Sequence, residues 1–146
     1  EIKDENETAG IVLLQNNYNQ IRLEIAKENG KQVARVIKYV QITPPNPRLL
    51  PSFSIEEVDG TFEMGKVEID GTDFILQHIA VGQANSFYIG KNREHMIAVA
   101  ENISGKFLGS ETAGGFIGAF VGMFASGNGR DTGNEAAFDS FTYVGK

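Results

Sequence analysis

The chain has 146 residues, 13 Lys and Arg against 19 Asp and Glu, and a formal net charge of −6. This length suits one domain with a sizeable core, and an acidic chain with no basic cluster is a poor partner for nucleic acid or an anionic membrane surface. With no cysteine and two histidines, disulfides and thiolate metal sites are excluded, and the redox compartment stays open.

The sequence starts at Glu1 without a methionine or an apolar signal core and moves straight into a strand-like pattern, as a piece of a longer chain would. Residues 10–15 give the first strand signal. Residues 18–25 alternate: Ile21, Leu23 and Ile25 point one way, and Tyr18, Gln20, Arg22 and Glu24 the other. Asn29-Gly30 is a hairpin turn pair, and residues 32–40 return as the partner strand. Three prolines within residues 43–48 deny a ladder its donors and predict a loop. Asp59-Gly60 and Asp70-Gly71 mark turns, and strand patterns follow at 74–81, 85–89 and 95–99.

The apolar run at 114–125 is too short to span lipid, which takes roughly 20 residues. Its glycines at 114, 115, 118 and 122 would each cost a helix about 1 kcal/mol. An extended reading puts Phe116, Phe120 and Phe124 on one face with Gly118 and Gly122, as in a central strand packed by another layer. A polar glycine-rich loop and a short strand carrying Phe138, Asp139 and Phe141 come next. About ten short strands and no long amphipathic helix predict an all-β, antiparallel β-sandwich, one domain over residues 1–146.

Several stretches, in order, carry a resemblance: AGIVLLQNNYNQIRLEI, KENGKQVARVIK, SFYIG, SETAGGFIGAFVGMFASGNG and AAFDSFTYVG. Together they resemble the C-terminal concanavalin A-like domain (a jelly-roll sandwich) of glycoside hydrolase family 43 enzymes, mostly β-xylosidases and α-L-arabinofuranosidases. The chain departs from that family in having no tryptophan after SFYIG, and residues 41–70 do not align with it. The family domain has further strands before the first matching stretch, so the resemblance implies that N-terminal strands of the sandwich are missing here.

The resemblance implies a non-catalytic accessory domain. It would pack on a separate catalytic propeller domain of the parent protein, which holds the catalytic carboxylates, and shape an active-site rim used on xylan or arabinan type plant polysaccharide. The rim position it implies is Phe116, which the adjacent Gly114 and Gly115 would let the backbone push outward; the same ring could equally begin the core strand. No cofactor is required. Concanavalin A-like sandwiches often carry a structural calcium, for which the implied ligand is Asp139, with Asp131 and Glu135 in the loop before it; that loop also reads as a solvated turn.

Two further readings stand beside this one. An autonomous carbohydrate-binding, lectin-like module could use Tyr18, Gln20 and Arg22 on one strand face with Tyr39 or Tyr88 on neighbours; otherwise these are ordinary solvent-facing positions or lie against a partner domain. Glu68-Ile69-Asp70-Gly71-Thr72-Asp73 resembles the E-x-D-x-x-E signature of sandwich glucanases, whose paired carboxylates share a strand face. The Asp70-Gly71 turn would break that face between Glu68 and Asp73. His78 falls in the alternation of Phe74, Leu76 and Ala80 and lines a sheet face, and no Gly-x-Ser-x-Gly elbow is present.

Overall fold

The computed structural model describes residues 1–42, 57–113 and 118–145. Alternating apolar residues and turn glycines produce eight strands: β1 Thr8–Asn16, β2 Asn19–Glu28, β3 Lys31–Val40, β4 Gly60–Glu68, β5 Ile75–Val81, β6 Ala84–Gly90, β7 Met96–Ser104 and β8 Phe120–Ser126. A 3₁₀ turn, Lys106–Leu108, and a single helical turn, α1 Ser110–Ala113, complete the regular structure of the described residues. No helix among the described residues is long and apolar enough to cross a membrane. The proline loop expected at 43–48 and the rim residue Phe116 lie outside the described residues.

The strands form two antiparallel sheets, one in the order β4-β3-β2-β1-β8 and one in the order β5-β6-β7. Asn29 and Gly30 both have left-handed backbone (φ 51 and 79), which a two-residue hairpin turn between twisted strands requires. That turn fixes the register, setting Glu24 opposite Arg35, Arg22 opposite Ile37 and Gln20 opposite Tyr39. The inner face therefore carries Ile11, Leu13, Ile21, Leu23, Ala34 and Val36, which join Phe87, Ile89, Val99 and Phe107 in the core between the sheets. Burying each large aliphatic or aromatic residue contributes about 1.5–3 kcal/mol.

The two sheets meet chiefly where β7 packs on β4 and β3, and the 3₁₀ turn packs on β2. Gly65 sets the approach of β4 to β7: a Cβ there would run into the carbonyl oxygen of Val99.

Three expectations are corrected. Of the strand expected over 114–125, residues 114–117 lie outside the described residues; the described part forms strand at Phe120–Ser126 and is, among the described residues, the edge of the five-stranded sheet, paired to β1 alone. Its glycine spacing specifies an extended chain; a central position depends on a second neighbouring strand, which the described chain does not supply. The inner face of β8 is not covered by the other sheet either: Val121 and Met123 are 39% and 43% exposed. Finally, residues 127–145 contain no strand, and Phe138, Phe141 and Tyr143 are exposed. This stretch is tied to the N-terminal segment by polar groups. Asn128 Nδ2 donates to the Asn6 carbonyl (2.6 Å), and Asn134 Nδ2 donates to the Glu7 carboxylate (2.9 Å).

Candidate functional site

The outer face of the five-stranded sheet gathers a cluster of polar and aromatic residues. Gln20, Arg22 and Glu24 of β2 point there, with Arg35 and Tyr39 of β3 and Phe120 and Phe124 of β8. Gln20 is anchored by donating Nε2–H to the Asn17 carbonyl (2.8 Å), and its Oε1 accepts from Arg22 Nε (2.9 Å). The Arg22 guanidinium then lies 4.9 Å from the Tyr39 ring centroid and 5.0 Å from that of Phe124. Both separations are within cation–π range.

Beneath this layer Glu24 is 1% exposed. Its Oε1 accepts from Arg35 Nε (2.9 Å) and pairs with Nη2 (2.8 Å), while its Oε2 has no partner among the described residues. Arg35 continues the chain of charges to Glu28, which also takes Lys66 Nζ (2.9 Å). Lys66, more than Arg35, holds the Glu28 carboxyl below the usual range against the cost of burial. Burial, followed by the charge of Glu24, pushes the Tyr39 phenol up, so it stays a neutral hydrogen-bond donor.

Of the five carbohydrate-binding candidates, Gln20, Arg22 and Tyr39 are brought together and the other two are not. Tyr18 is 64% exposed in the turn between β1 and β2, outside the ladder. Tyr88 belongs to β6 in the other sheet, where its hydroxyl donates to Glu101 (2.7 Å). Because Arg22 lies against both Tyr39 and Phe124, a sugar ring stacking on them would compete with the guanidinium.

The paired-acid reading finds no shared strand face. Glu68 is the last residue of β4 and is ion-paired with Lys31 at 2.9 Å, whereas Asp73 lies in the link to β5, accepting from Thr72 Oγ1 (3.1 Å). Gly71, with φ 99, turns the backbone between them. An open depression of about 480 Å³ is lined by Glu1, Lys31, Gln32, Glu68, Asp70 and Thr72, without Asp73.

His78 faces inward: its Nε2 lies 2.9 Å from Asn85 Oδ1 and its ring 4.9 Å from that of Phe87. Asn85 uses its own amide N–H groups on the carbonyls of Gln83 and Ile103, so the imidazole Nε2 carries the proton. Burial lowers the His78 pKa. Asp139 is exposed in a stretch without strand, and no group of three or more His, Asp or Glu among the described residues could hold a metal ion.

Sequence reasoning missed two polar features. The burial of Glu24 has no signal in the alternation, although the hairpin register already sets it opposite Arg35. Lys38 is a buried cation on the inner face, 2.6 Å from Glu57 and 4.6 Å from the Phe107 ring centroid. Its signal is a lysine in phase with Ala34, Val36 and Val40.

Comparison with known proteins places this architecture. Residues 1–144 match the family described as the beta xylosidase C-terminal concanavalin A-like domain. The chain is 36% identical over 141 residues to a xylosidase/arabinosidase of Butyrivibrio fibrisolvens, covering 94% of this chain and 23% of that protein. It is 32% identical over 142 residues to the non-reducing end alpha-L-arabinofuranosidase BoGH43B of Bacteroides ovatus, covering 97% and 23%. The chain thus spans about a quarter of the length of these relatives. Among solved structures, the xyloglucan PUL GH43B of Bacteroides ovatus superposes with a TM-score of 0.68 at 29% identity, over 88% of this chain and 22% of that one. The BlXynB protein of Bacillus licheniformis shares the fold, with a TM-score of 0.71 at 18% identity over 89% and 22%.

Proposed function

The chain belongs to the family of β-xylosidase C-terminal concanavalin A-like domains, and from that premise we propose that it is a non-catalytic accessory domain of a family 43-type glycoside hydrolase acting on xylan or arabinan type plant polysaccharide. One observation carries this reading: a match over residues 1–144 to a domain family, where the same chain accounts for 23% of relatives named for xylosidase and arabinofuranosidase activity. The remaining length of such a parent would hold the catalytic propeller, against which this sandwich packs. The separation of Glu68 from Asp73 supports assigning the chemistry elsewhere. The exposed Phe120, Val121 and Met123 on β8 support a surface built for contact.

The rim position we propose, on the resemblance alone, is Phe116. The test uses the parent enzyme and the chain alone on aryl β-xylosides and aryl α-L-arabinofuranosides. Phe116→Ala in the parent lowers kcat/KM by about tenfold, the loss expected for one apolar contact to substrate, and the isolated chain hydrolyses neither glycoside. Hydrolysis by the isolated chain would overturn the accessory reading; an unchanged kcat/KM would remove Phe116 from the rim.

The placement of Gln20, Arg22 and Tyr39 on one face favours a second reading, an autonomous glycan-binding module. Affinity electrophoresis through xylan, arabinoxylan, arabinan and β-glucan separates the two. Retardation that Tyr39→Ala abolishes supports the module; equal mobility in all four polymers supports the accessory role.

A further inference from the structure

We propose that Asn29 is a site of self-modification, at which the backbone nitrogen of Gly30 displaces the side-chain amide and converts the β2–β3 turn to an isoaspartyl linkage. The chain has two Asn-Gly pairs, Asn29-Gly30 and Asn128-Gly129. Glycine, lacking a Cβ, leaves the attacking nitrogen least hindered. All four residues are exposed and have left-handed backbone. What differs is the hold on the reacting carboxamide. Asn128 Nδ2 donates to the Asn6 carbonyl (2.6 Å) and to Thr8 Oγ1 (3.4 Å), and its Oδ1 accepts from Ser126 Oγ (3.4 Å). The Asn128 backbone N–H donates to the same serine hydroxyl (3.0 Å). Thr8 is buried on β1, so these bonds fasten that turn to the sheet. The Asn29 carboxamide has no hydrogen-bond partner among the described residues.

The step needs only water as co-reactant. The Gly30 nitrogen bonds to Asn29 Cγ, the Cγ–Nδ2 bond breaks, and Nδ2 leaves as ammonia with the proton that the glycine nitrogen gives up. Water then opens the cyclic imide at Cγ, giving aspartate, or at the main-chain carbonyl, giving isoaspartate; no electrons are exchanged. The β2–β3 ladder ends at Glu28 and Lys31, which leaves the Gly30 amide outside it, and nothing lies within 4 Å of where a Gly30 Cβ would stand. Ring closure requires the tip of the hairpin to open, and an exposed turn opens without disturbing the core. The iso linkage adds a carbon to the main chain of a two-residue turn whose tight geometry fixes the register. The pair Glu28–Lys31 is therefore the first to be lost. With it go the ion pairs at that end of the sheet, Glu28 with Arg35 and Lys66, and Lys31 with Glu68.

The test is a time course at mildly alkaline pH, with the chain native in one series and unfolded in urea in the other. Peptic digestion in acid stops the reaction, and mass spectrometry with isoaspartyl methyltransferase labelling reads each position. In urea the two Asn-Gly pairs convert at similar rates. In the native chain, position 29 converts on the order of 10-fold faster than position 128, where hydrogen bonds must first break, and isoaspartate forms there. Thr8→Val with Ser126→Ala removes two of the groups that hold Asn128 and raises the rate at 128 several-fold, leaving the rate at 29 unchanged. If that double variant loses its fold by circular dichroism, the native-against-urea comparison of the wild-type chain decides alone. A native chain in which both positions convert at one rate, or in which 128 converts first, would overturn the assignment. So would a native chain that keeps both amides through an incubation that fully converts both in urea. A folded double variant with an unchanged rate at 128 would overturn the hydrogen bonds as the cause of the difference.

Discussion

One transverse row of the five-stranded sheet runs Met123, Ile11, Leu23, Val36 and Gly65, all on the inner face. At its β2–β4 end Leu23 and Val36 are fully buried, and Gly65 lies against the backbone of Val99. At its β8 end Met123 keeps 43% of its surface exposed. Side-chain chemistry and strand geometry match along the row, so the difference comes from the second layer. The β5-β6-β7 sheet rests mainly on β3 and β4, and the 3₁₀ turn extends its cover toward β2. Alternation determines which side of a strand turns inward; a second sheet determines whether inward means buried.

The largest effect belongs to the covered end. Leu23→Ala removes a fully buried side chain from the middle of the core and should destabilise the chain by about 2–5 kcal/mol, read as a lower urea midpoint with an unchanged m-value. A loss well under 1 kcal/mol would mean that the sheets do not close over β2. Lys38 comes next. Lys38→Ala leaves the Glu57 carboxylate without its cation and opens space beside Phe107, for an expected cost of about 1–3 kcal/mol. That is less than for a fully buried pair, because Glu57 retains some exposure. A double variant, Lys38→Met with Glu57→Gln, should recover most of the loss. If it does not, the ion pair itself stabilises this end of the sheet.

Much of the covered half was legible in the sequence. The phase of Ile21, Leu23 and Ile25 gave the inner face, and Asn29-Gly30 gave the hairpin and with it every pair from Gln20–Tyr39 to Glu24–Arg35. The β8 half was less legible, for a physical reason. A Gly-Phe alternation shows that the chain is extended, but edge or centre is decided by strands distant in sequence, and so is cover. The same limit applies to the outer face. Tyr18 and Tyr88 had the right residue type, but Tyr18 falls in a turn and Tyr88 in the other sheet. Phe124 completes the cluster around Arg22, and its place in an aromatic alternation along one strand carries no signal of that partner, which comes from a strand distant in sequence.

The smaller sheet supplies the pH-dependent prediction. Its His78 packs on Phe87, and burial holds its pKa below the ordinary 6.5. The unfolded chain therefore takes up a proton as pH falls through 6.5, while the folded chain resists. The contribution of His78 is complete above 6.5 and is lost as pH falls from there toward the folded-state pKa. His78→Leu should flatten the stability profile in that window. The carboxylate of Glu7 acts in a separate window. The Lys3 backbone N–H and then the Asn134 amide lower its pKa from 4.5 to about 2, so its contribution fades only below 4.5. A variant that leaves the slope below pH 6.5 unchanged would show that His78 is hydrated in the folded chain.

The smallest effect should come from the row's open end. Met123→Ala should change stability by no more than about 0.5 kcal/mol, as for an exposed position away from caps and networks. The comparison with Leu23→Ala is stringent because both substitutions truncate large apolar side chains on one face of one row, leaving cover as the main variable. A loss near 2 kcal/mol would mean that residues 127–145, with their exposed Phe138, Phe141 and Tyr143, fold back over β8 in solution.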